Sequence, residues 1–267
     1  MRAATRTTTT DPAAAALRER AIARRHAAHR AICDRIEPWE HGTLVAAGRF
    51  PTFWDYNALR VEGPPPTSLT GEDLARAADR LQAGLAHRKV EIEDEAAGAA
   101  LRPSLDALGW RTERLAFMHH AGGDAGPTSP RVREVPGEAV LALRREWLGE
   151  EALDPDHAAV DTEVARLLPG ELLTLAAHDA AGEPAAYAAL RIAGAEGEVE
   201  DVYCTPSQRG RGLATALVAA AIARARGAGV EELWIVADDD DWPKKLYARL
   251  GFRTVWLRHD AVRRPAP

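Results

Sequence analysis

The chain has 267 residues, room for one large or two small domains, and 46% apolar residues, an ordinary share for a packed core. A formal charge of −6 argues against a nucleic-acid binder and for cationic partners. Two cysteines, Cys33 and Cys204, far apart and without metal-ligand spacing, argue against a disulfide framework and fit a reducing cytoplasm, and no apolar run approaches a membrane span.

Residues 1–10 are rich in Arg and Thr but have no apolar segment, which argues against a secretory signal and leaves a frayed tail, the expected reading, or a transit peptide. Leu17, Ile22, Ala23 and Ile32 predict a helix over 12–36. His26 and His29 lie one turn apart on it with no third ligand, so a solvated basic face is expected. Strands are predicted over 42–50 and 55–61, and Gly63-Pro64-Pro65-Pro66 breaks the chain. Thr70 heads a helix to residue 87, with Asp73 completing a partial capping box. Residues 89–93 alternate like a half-exposed strand, 96–108 form a helix ended by Gly109, and 114–119 form a strand. Gly and Pro then dominate 121–130, a linker. Beyond it come a strand over 131–135, helices over 137–148 and 156–168, and a hairpin of 172–177 with 185–192. After residue 225 follow a buried strand (231–237), an acidic loop (238–241), a helix (242–250) and a last strand (253–257). This is a mixed α/β pattern with parallel and antiparallel strands and helices on both faces.

The stretch 199–225 carries the most information. Val199, Val202 and Tyr203 have strand chemistry up to Cys204, and Pro206 stops the strand. After Gly210 and Gly212, Ala214, Leu217, Val218, Ala221, Ile222 and Ala225 recur as one apolar helical stripe. A strand, a glycine turn and a helix start can hold an anion. The first helical N–H groups are unpaired, the dipole is positive there, and glycine admits a phosphate to the backbone. Arg209 and Arg211 add charge. No Gly-Lys-Ser/Thr follows and the three-glycine dinucleotide spacing is absent. By themselves these residues leave two readings, a diphosphate site or an ordinary turn with two surface arginines.

Arg209-Gly210-Arg211-Gly212-Leu213-Ala214 resembles the Arg/Gln-x-x-Gly-x-Gly/Ala signature of the GCN5-related N-acetyltransferases (GNAT). Leu246-Tyr247-Ala248-Arg249-Leu250-Gly251-Phe252 resembles that family's Leu-Tyr-x-x-x-Gly-Phe, in the family's order and spacing. The resemblance covers residues 130–260 and implies a GNAT fold, a mixed central sheet flanked by helices. It also implies acetyl-CoA as cosubstrate, no metal, and a small-molecule amine as acceptor. Tyr247 sits where the family places a tyrosine near the coenzyme sulfur. A phenol of pKa about 10 can protonate the leaving thiolate; the other reading is a core aromatic with a satisfied hydroxyl.

Glu200 and Asp201 resemble the Leu-Glu-Asp of diamine-type acetyltransferases, with Val199 for the leucine. Glu200 is the expected base, through water, and Asp201 the expected holder of a cationic amine. Strand alternation puts the two on opposite faces, so one at most enters a given side of the cleft. The competing reading is a solvated strand start, as Glu198 suggests. The backbone of Val202, Tyr203 and Cys204 is expected to pair with the pantetheine arm, and the Cys204 thiol to be a core group. Arg209, Gly210, Arg211, Gly212, Leu213, Ala214 and Thr215 are expected to hold the diphosphate. Asp240 stands where many family members have a coenzyme-contacting Asn; the resemblance implies a weakened coenzyme contact there, since a helix N-cap accepts either residue.

Residues 104–112 echo 246–254, and the strand–helix–strand–helix–strand order before each is the same. This predicts two tandem copies: a degenerate one over 1–120, a linker over 121–130, and a catalytic one over 131–267. The first copy has Pro64, Pro65, Pro66 and Ser68 in place of the glycine turn, and Leu105 in place of Tyr247. Such an internal pseudo-dimer is expected to be a cytoplasmic monomer without nucleic-acid or membrane partners. The aromatics Trp39, Phe50, Phe53, Trp54 and Tyr56 either wall the inter-domain cleft or pack in its core and seam. The expected function is N-acetyl transfer to a small amine. The alternatives are a coenzyme-binding module without transfer, or a transferase for a larger acyl group.

Overall fold

The computed structural model describes residues 12–123, 126, 129–150 and 157–264. Residues 1–10 of the expected tail, positions 124, 125, 127 and 128 of the linker and Asp156 at the expected start of a helix lie outside the described residues. The N-terminal half runs α1 (Pro12–Ile32), β1 (Arg35–Trp39), β2 (Gly42–Ala46), a 3-10 turn (Trp54–Tyr56), β3 (Asn57–Val61), α2 (Gly71–Leu81), β4 (Arg88–Ile92), α3 (Glu95–Ala107) and β5 (Arg111–His120). The C-terminal half opens with β6 (Val132–Val135), a 3-10 turn (Gly137–Val140), α4 (Leu141–Glu150), α5 (His157–Leu167), β7 (Glu171–His178) and β8 (Pro184–Ala193). It continues with β9 (Glu196–Cys204), α6 (Leu213–Gly227), β10 (Glu232–Asp238), α7 (Pro243–Arg249) and β11 (Phe252–Arg263).

Local chemistry explains these elements. Thr70 and Asp73 form a complete capping box at α2, which satisfies first-turn donors. On α6, Leu217, Val218, Ala221, Ile222 and Ala225 are all buried, and each Leu, Val or Ile so placed contributes about 1.5–3 kcal/mol. The sequence did not announce β1, because Pro38 and the exposed Arg35 and Glu37 break the strand pattern; as an edge strand it tolerates a residue without an N–H.

The strands among the described residues form one eleven-stranded sheet in the order β1-β2-β3-β4-β11-β5-β10-β9-β8-β7-β6. β5 of the N-terminal half lies between β10 and β11 of the other, while β11 lies between β5 and β4. The centre is thus an exchange of strands. Outward from it, each half repeats the same pairings: antiparallel to β10 or β4, then parallel to β9 or β3. When Gly109 is placed on Gly251, Leu115 falls on Leu257 and Ala116 on Arg258. The central pairs are Leu257 with Ala116 and Arg258 with Leu115, so swapping the halves maps the centre onto itself.

α2, α3, α6 and α7 cover one face, over cores built on Leu59, Val90 and Leu105 and on Leu190, Leu217 and Phe252. α1, α4 and α5 cover the other. There Ala21 packs on Trp234 and Trp256, and Val164 of α5 packs with Phe50 and Tyr56.

Two expectations fail on this second face. β4 is buried along most of its length and not half-exposed, because Lys89 and Glu91 are absorbed in an ion network with Arg25, Asp260 and Arg258. His29 is buried and not solvated: Nε2 meets the Asp55 carbonyl at 2.9 Å and Nδ1 meets Arg60 at 3.0 Å. Burial pushes the His29 pKa down to about 3, so the ring is neutral.

Candidate active site at a split between two strands

β9 and β10 pair in parallel from Glu196 with Glu232 to Val199 with Ile235, and there the ladder stops. β9 runs on to Cys204 and β10 to Asp238, so the sheet splits. A bulge on the other edge of β9 accompanies the split. Glu200 stands opposite Ala189 and Tyr203 opposite Tyr187, which leaves one extra residue on β9. Asp201, within it, has φ 54°, the only non-glycine residue with positive φ among the described residues. Asp tolerates this region better than most side chains, and bulges bend and twist a strand. In the N-terminal half the corresponding ladder stays closed: Val61 pairs with Ile92 and its carbonyl accepts from Glu93 N at 3.0 Å.

A cavity of about 710 Å³ opens at the split. Val199, Ile235 and Tyr247, which belong to the core beneath α6 and α7, line it. So does Glu198, whose carboxylate meets Arg24 of α1 at 3.0 Å on the opposite face. The lining therefore draws on both faces of the sheet. Glu200, Asp201, Val202 and Tyr247 are all brought to it. Alternation predicted that one carboxylate at most enters from a given side; the extra residue at Asp201 breaks the alternation, and both line the cavity. Of the aromatic cluster, Phe53 and Tyr56 line the cavity, Phe50 packs in the seam beside α5, Trp39 joins the N-terminal core and Trp54 lies against His87.

The charges are held in fixed pairs. Arg191 Nε donates to Glu200 at 3.0 Å. Burial, and then the Glu198 charge, nevertheless push the Glu200 carboxyl up to about 7. Arg144 of α4 donates to Asp201 at 2.9 Å and to Asp161 of α5 at 2.5 Å. Burial raises the Asp201 carboxyl above its ordinary value; burial and the Asp201 charge raise Asp161 to about 6. Burial, with Asp241 second, raises the Tyr247 phenol, so it keeps its proton. Phe252 meets the Tyr247 ring edge-on at 6.4 Å.

The glycine turn follows the end of β9. Gly210 and Gly212 have φ 77° and 78°, and no atom lies within 4 Å of where a Cβ would stand on either. Gly212 caps α6 without a side chain. The Ala216 N–H bonds the Gly212 carbonyl at 3.0 Å, so the N–H groups of Leu213, Ala214 and Thr215 precede the first helical bond. Arg211 is exposed. These features fit a diphosphate.

Arg209 departs from its expected part. It turns back onto the strand, donating to the Cys204 carbonyl at 2.9 Å and to Glu150 at 2.6 Å, above the Tyr203 ring. Tyr203 itself is buried, and its hydroxyl donates to Glu150 at 2.6 Å. Cys204 is a half-buried thiol packed against the core, its pKa raised by burial. Asp240 does not cap α7; Trp242 holds the cap position, and Asp240 meets Arg102 at 3.3 Å and Arg114 at 3.4 Å in the N-terminal half.

Asp55, Glu91 and Asp260 converge closely enough to hold a cation, but the Lys89 ammonium lies among them, 3.1 Å from Asp260, and Arg258 sits 3.0 Å from Glu91. Sequence reasoning missed Arg144, Asp161, Arg191 and the α1 wall. A charge at Arg144 between Leu143 and Trp147 is a faint sign of a buried cation; nothing in the sequence marks Asp161.

Residues 138–252 match the model of the acetyltransferase (GNAT) family. That stretch belongs to the GNAT family. No curated protein matches the chain. The whole chain has the GNAT fold's mixed sheet and flanking helices, and solved structures share it. A GCN5-related N-acetyltransferase from Kribbella flavida is 18% identical, with a TM-score of 0.57 over 94% of this chain and 96% of that one. A functionally unknown conserved protein from Staphylococcus epidermidis is 13% identical, with a TM-score of 0.66 over 88% of this chain and 95% of that one. A GCN5-related N-acetyltransferase from Sphaerobacter thermophilus is 18% identical, with a TM-score of 0.50 over 68% and 61%. At these identities the likeness is one of fold. The GNAT match supports acyl-CoA-dependent acetyl transfer in general terms. No described helix is long and apolar enough to cross a membrane.

Proposed function

We propose that this protein transfers the acetyl group of acetyl-CoA to the amine of a small molecule, by direct attack in a ternary complex. The observation that carries the reading is the split between β9 and β10, with Glu200, Asp201 and Tyr247 around one cavity and an uncapped glycine-led helix at the strand's end. In this reading the unpaired edge of β9 from Val202 to Cys204 takes the pantetheine arm, and Gly210 to Thr215 take the diphosphate. Arg211 supplies the charge first expected of both arginines.

The chemistry needs a neutral amine, a proton for the leaving thiolate, and alignment of the two substrates. Glu200, through water, takes one proton from the ammonium. The nitrogen attacks the thioester carbonyl carbon and the C–S bond breaks. Tyr247 gives its phenolic proton to the thiolate, and the surplus one of the two protons on the new amide nitrogen returns to the phenolate through solvent. No protein nucleophile is needed, which leaves the Cys204 thiol in its packing role.

We read the N-terminal half as a degenerate copy. Its closed β3–β4 ladder, its three prolines at 64–66 and the core residue Leu105 leave no slot, no glycine turn and no acid. The strand exchange supports a monomer whose halves stand in for a dimer. A panel of primary amines with acetyl-CoA, read by released thiol, tests the function. Amine-dependent thiol release is the expected result; coenzyme binding without it would reduce the protein to a binding module.

A further inference from the structure

We infer that Asp161 of α5 and Asp201 of β9 together seat the acceptor's ammonium, and that Phe53 and Tyr56 hold an apolar body attached to it. The substrate class is then a primary amine on an apolar skeleton of aromatic size. The inference rests on the transferase reading above and gives a role to a residue that no motif marks.

Charge is the first argument. Arg144 is buried at 8% exposure and bonds both carboxylates, so two acids share one guanidinium. The other nearby guanidinium, Arg191, is engaged by Glu200 and by the Ala165 carbonyl at 3.0 Å. Asp55, the next charged neighbour of Asp161, is another acid, already paired with Lys89. The cluster is therefore one positive charge short, on the wall of the cavity that also holds Glu200 and Tyr247. Burial has raised both carboxyls against the pull of Arg144, and a second cation placed there offsets that cost.

The surroundings are the second argument. Val160 and Val164 flank Asp161 on α5 and pack with Phe53 and Tyr56. These two rings stack at 5.5 Å, and both line the cavity. An ammonium seated at Asp161 thus has an apolar wall beside it, contributed by the N-terminal half. A small cation such as methylamine would leave the half-buried Phe53 ring uncovered, whereas 2-phenylethylamine would cover it.

Calorimetry on the full chain saturated with CoA, with 2-phenylethylamine and methylamine as probes, tests this. Wild type should bind 2-phenylethylamine more tightly. Asp161→Asn should weaken that binding by at least about tenfold, the scale of one charged hydrogen bond, with CoA affinity and melting temperature retained. Asp161→Glu should recover part of it, and Phe53→Ala should narrow the gap between the probes. Equal binding by wild type and Asp161→Asn overturns the inference, as does a wild type that binds neither amine or shows no preference. If binding depends on Asp161 but no thiol is released from acetyl-CoA, the seat stands and the transferase reading fails. If thiol is released with a KM indifferent to Asp161, the reverse holds.

Discussion

At Tyr247 two roles compete, proton donor and packed core ring. The ring is buried against Phe252, which serves packing. The residue also lines the cavity that Glu200 and Asp201 line, which serves chemistry. Tyr247→Phe separates them, since it removes one oxygen and keeps the ring. Turnover should fall ~10²-fold, within the range of a lost general acid. Melting temperature and CoA affinity should hold; a variant with full turnover on a verified amine would remove Tyr247 from the mechanism. Glu200 makes a separate prediction. Its carboxyl is raised to about 7 and the working form is the carboxylate, so kcat/KM should climb with pH through about 7. The raised phenol of Tyr247 places the opposing limb above the ordinary tyrosine range. Glu200→Gln should abolish the acidic limb, and a pH profile with the same limb would exclude Glu200 as the base.

At the scale of elements, the site is a consequence of one strand that stops pairing. The Asp201 bulge and the open ladder after Val199 give β9 a free edge, and the glycine turn puts a helix start at the end of that edge. Neither Gly210 nor Gly212 is packed against anything, so their reason is backbone φ and the close approach of a ligand. Gly212→Asp puts a carboxylate there and a side chain at φ 78°. CoA affinity should drop by well over tenfold, roughly the scale of losing charge-assisted contacts, with the fold retained. Unchanged affinity by titration calorimetry would place the anion elsewhere.

At the scale of the molecule, the strand exchange makes each half depend on the other. Without residues 131–267, β4 and β5 lose β11 between them; without 1–120, β10 and β11 lose β5. The two fragments cut at the linker should therefore fail to fold singly, by circular dichroism, and recover structure when mixed. Two fragments that each melt cooperatively would refute this dependence. The intact chain should bind one CoA, and ligand at a hundred times its dissociation constant should add about 2.7 kcal/mol of stability. Two equivalent sites would contradict a degenerate N-terminal half.

The sequence by itself determined what is local. Apolar periodicity set α6, Thr70 and Asp73 set the cap of α2, and Gly210 and Gly212 marked a turn that needs positive φ. Such signals live in neighbouring residues, and the motif pair 209–214 and 246–252 was legible for that reason. The tertiary structure decided what depends on long-range pairing. The exchange of β5 and β11 joins residues more than a hundred positions apart. The bulge that brings both Glu200 and Asp201 to the cavity is a mismatch with β8, invisible in the alternation of β9 alone. Arg209 and Asp240 look available in the sequence, yet Glu150 claims one and Arg102 and Arg114 the other. Burial of Lys89 and Glu91 follows the same rule. A charged side chain can leave water only when a partner is waiting, and that partner is supplied by folding.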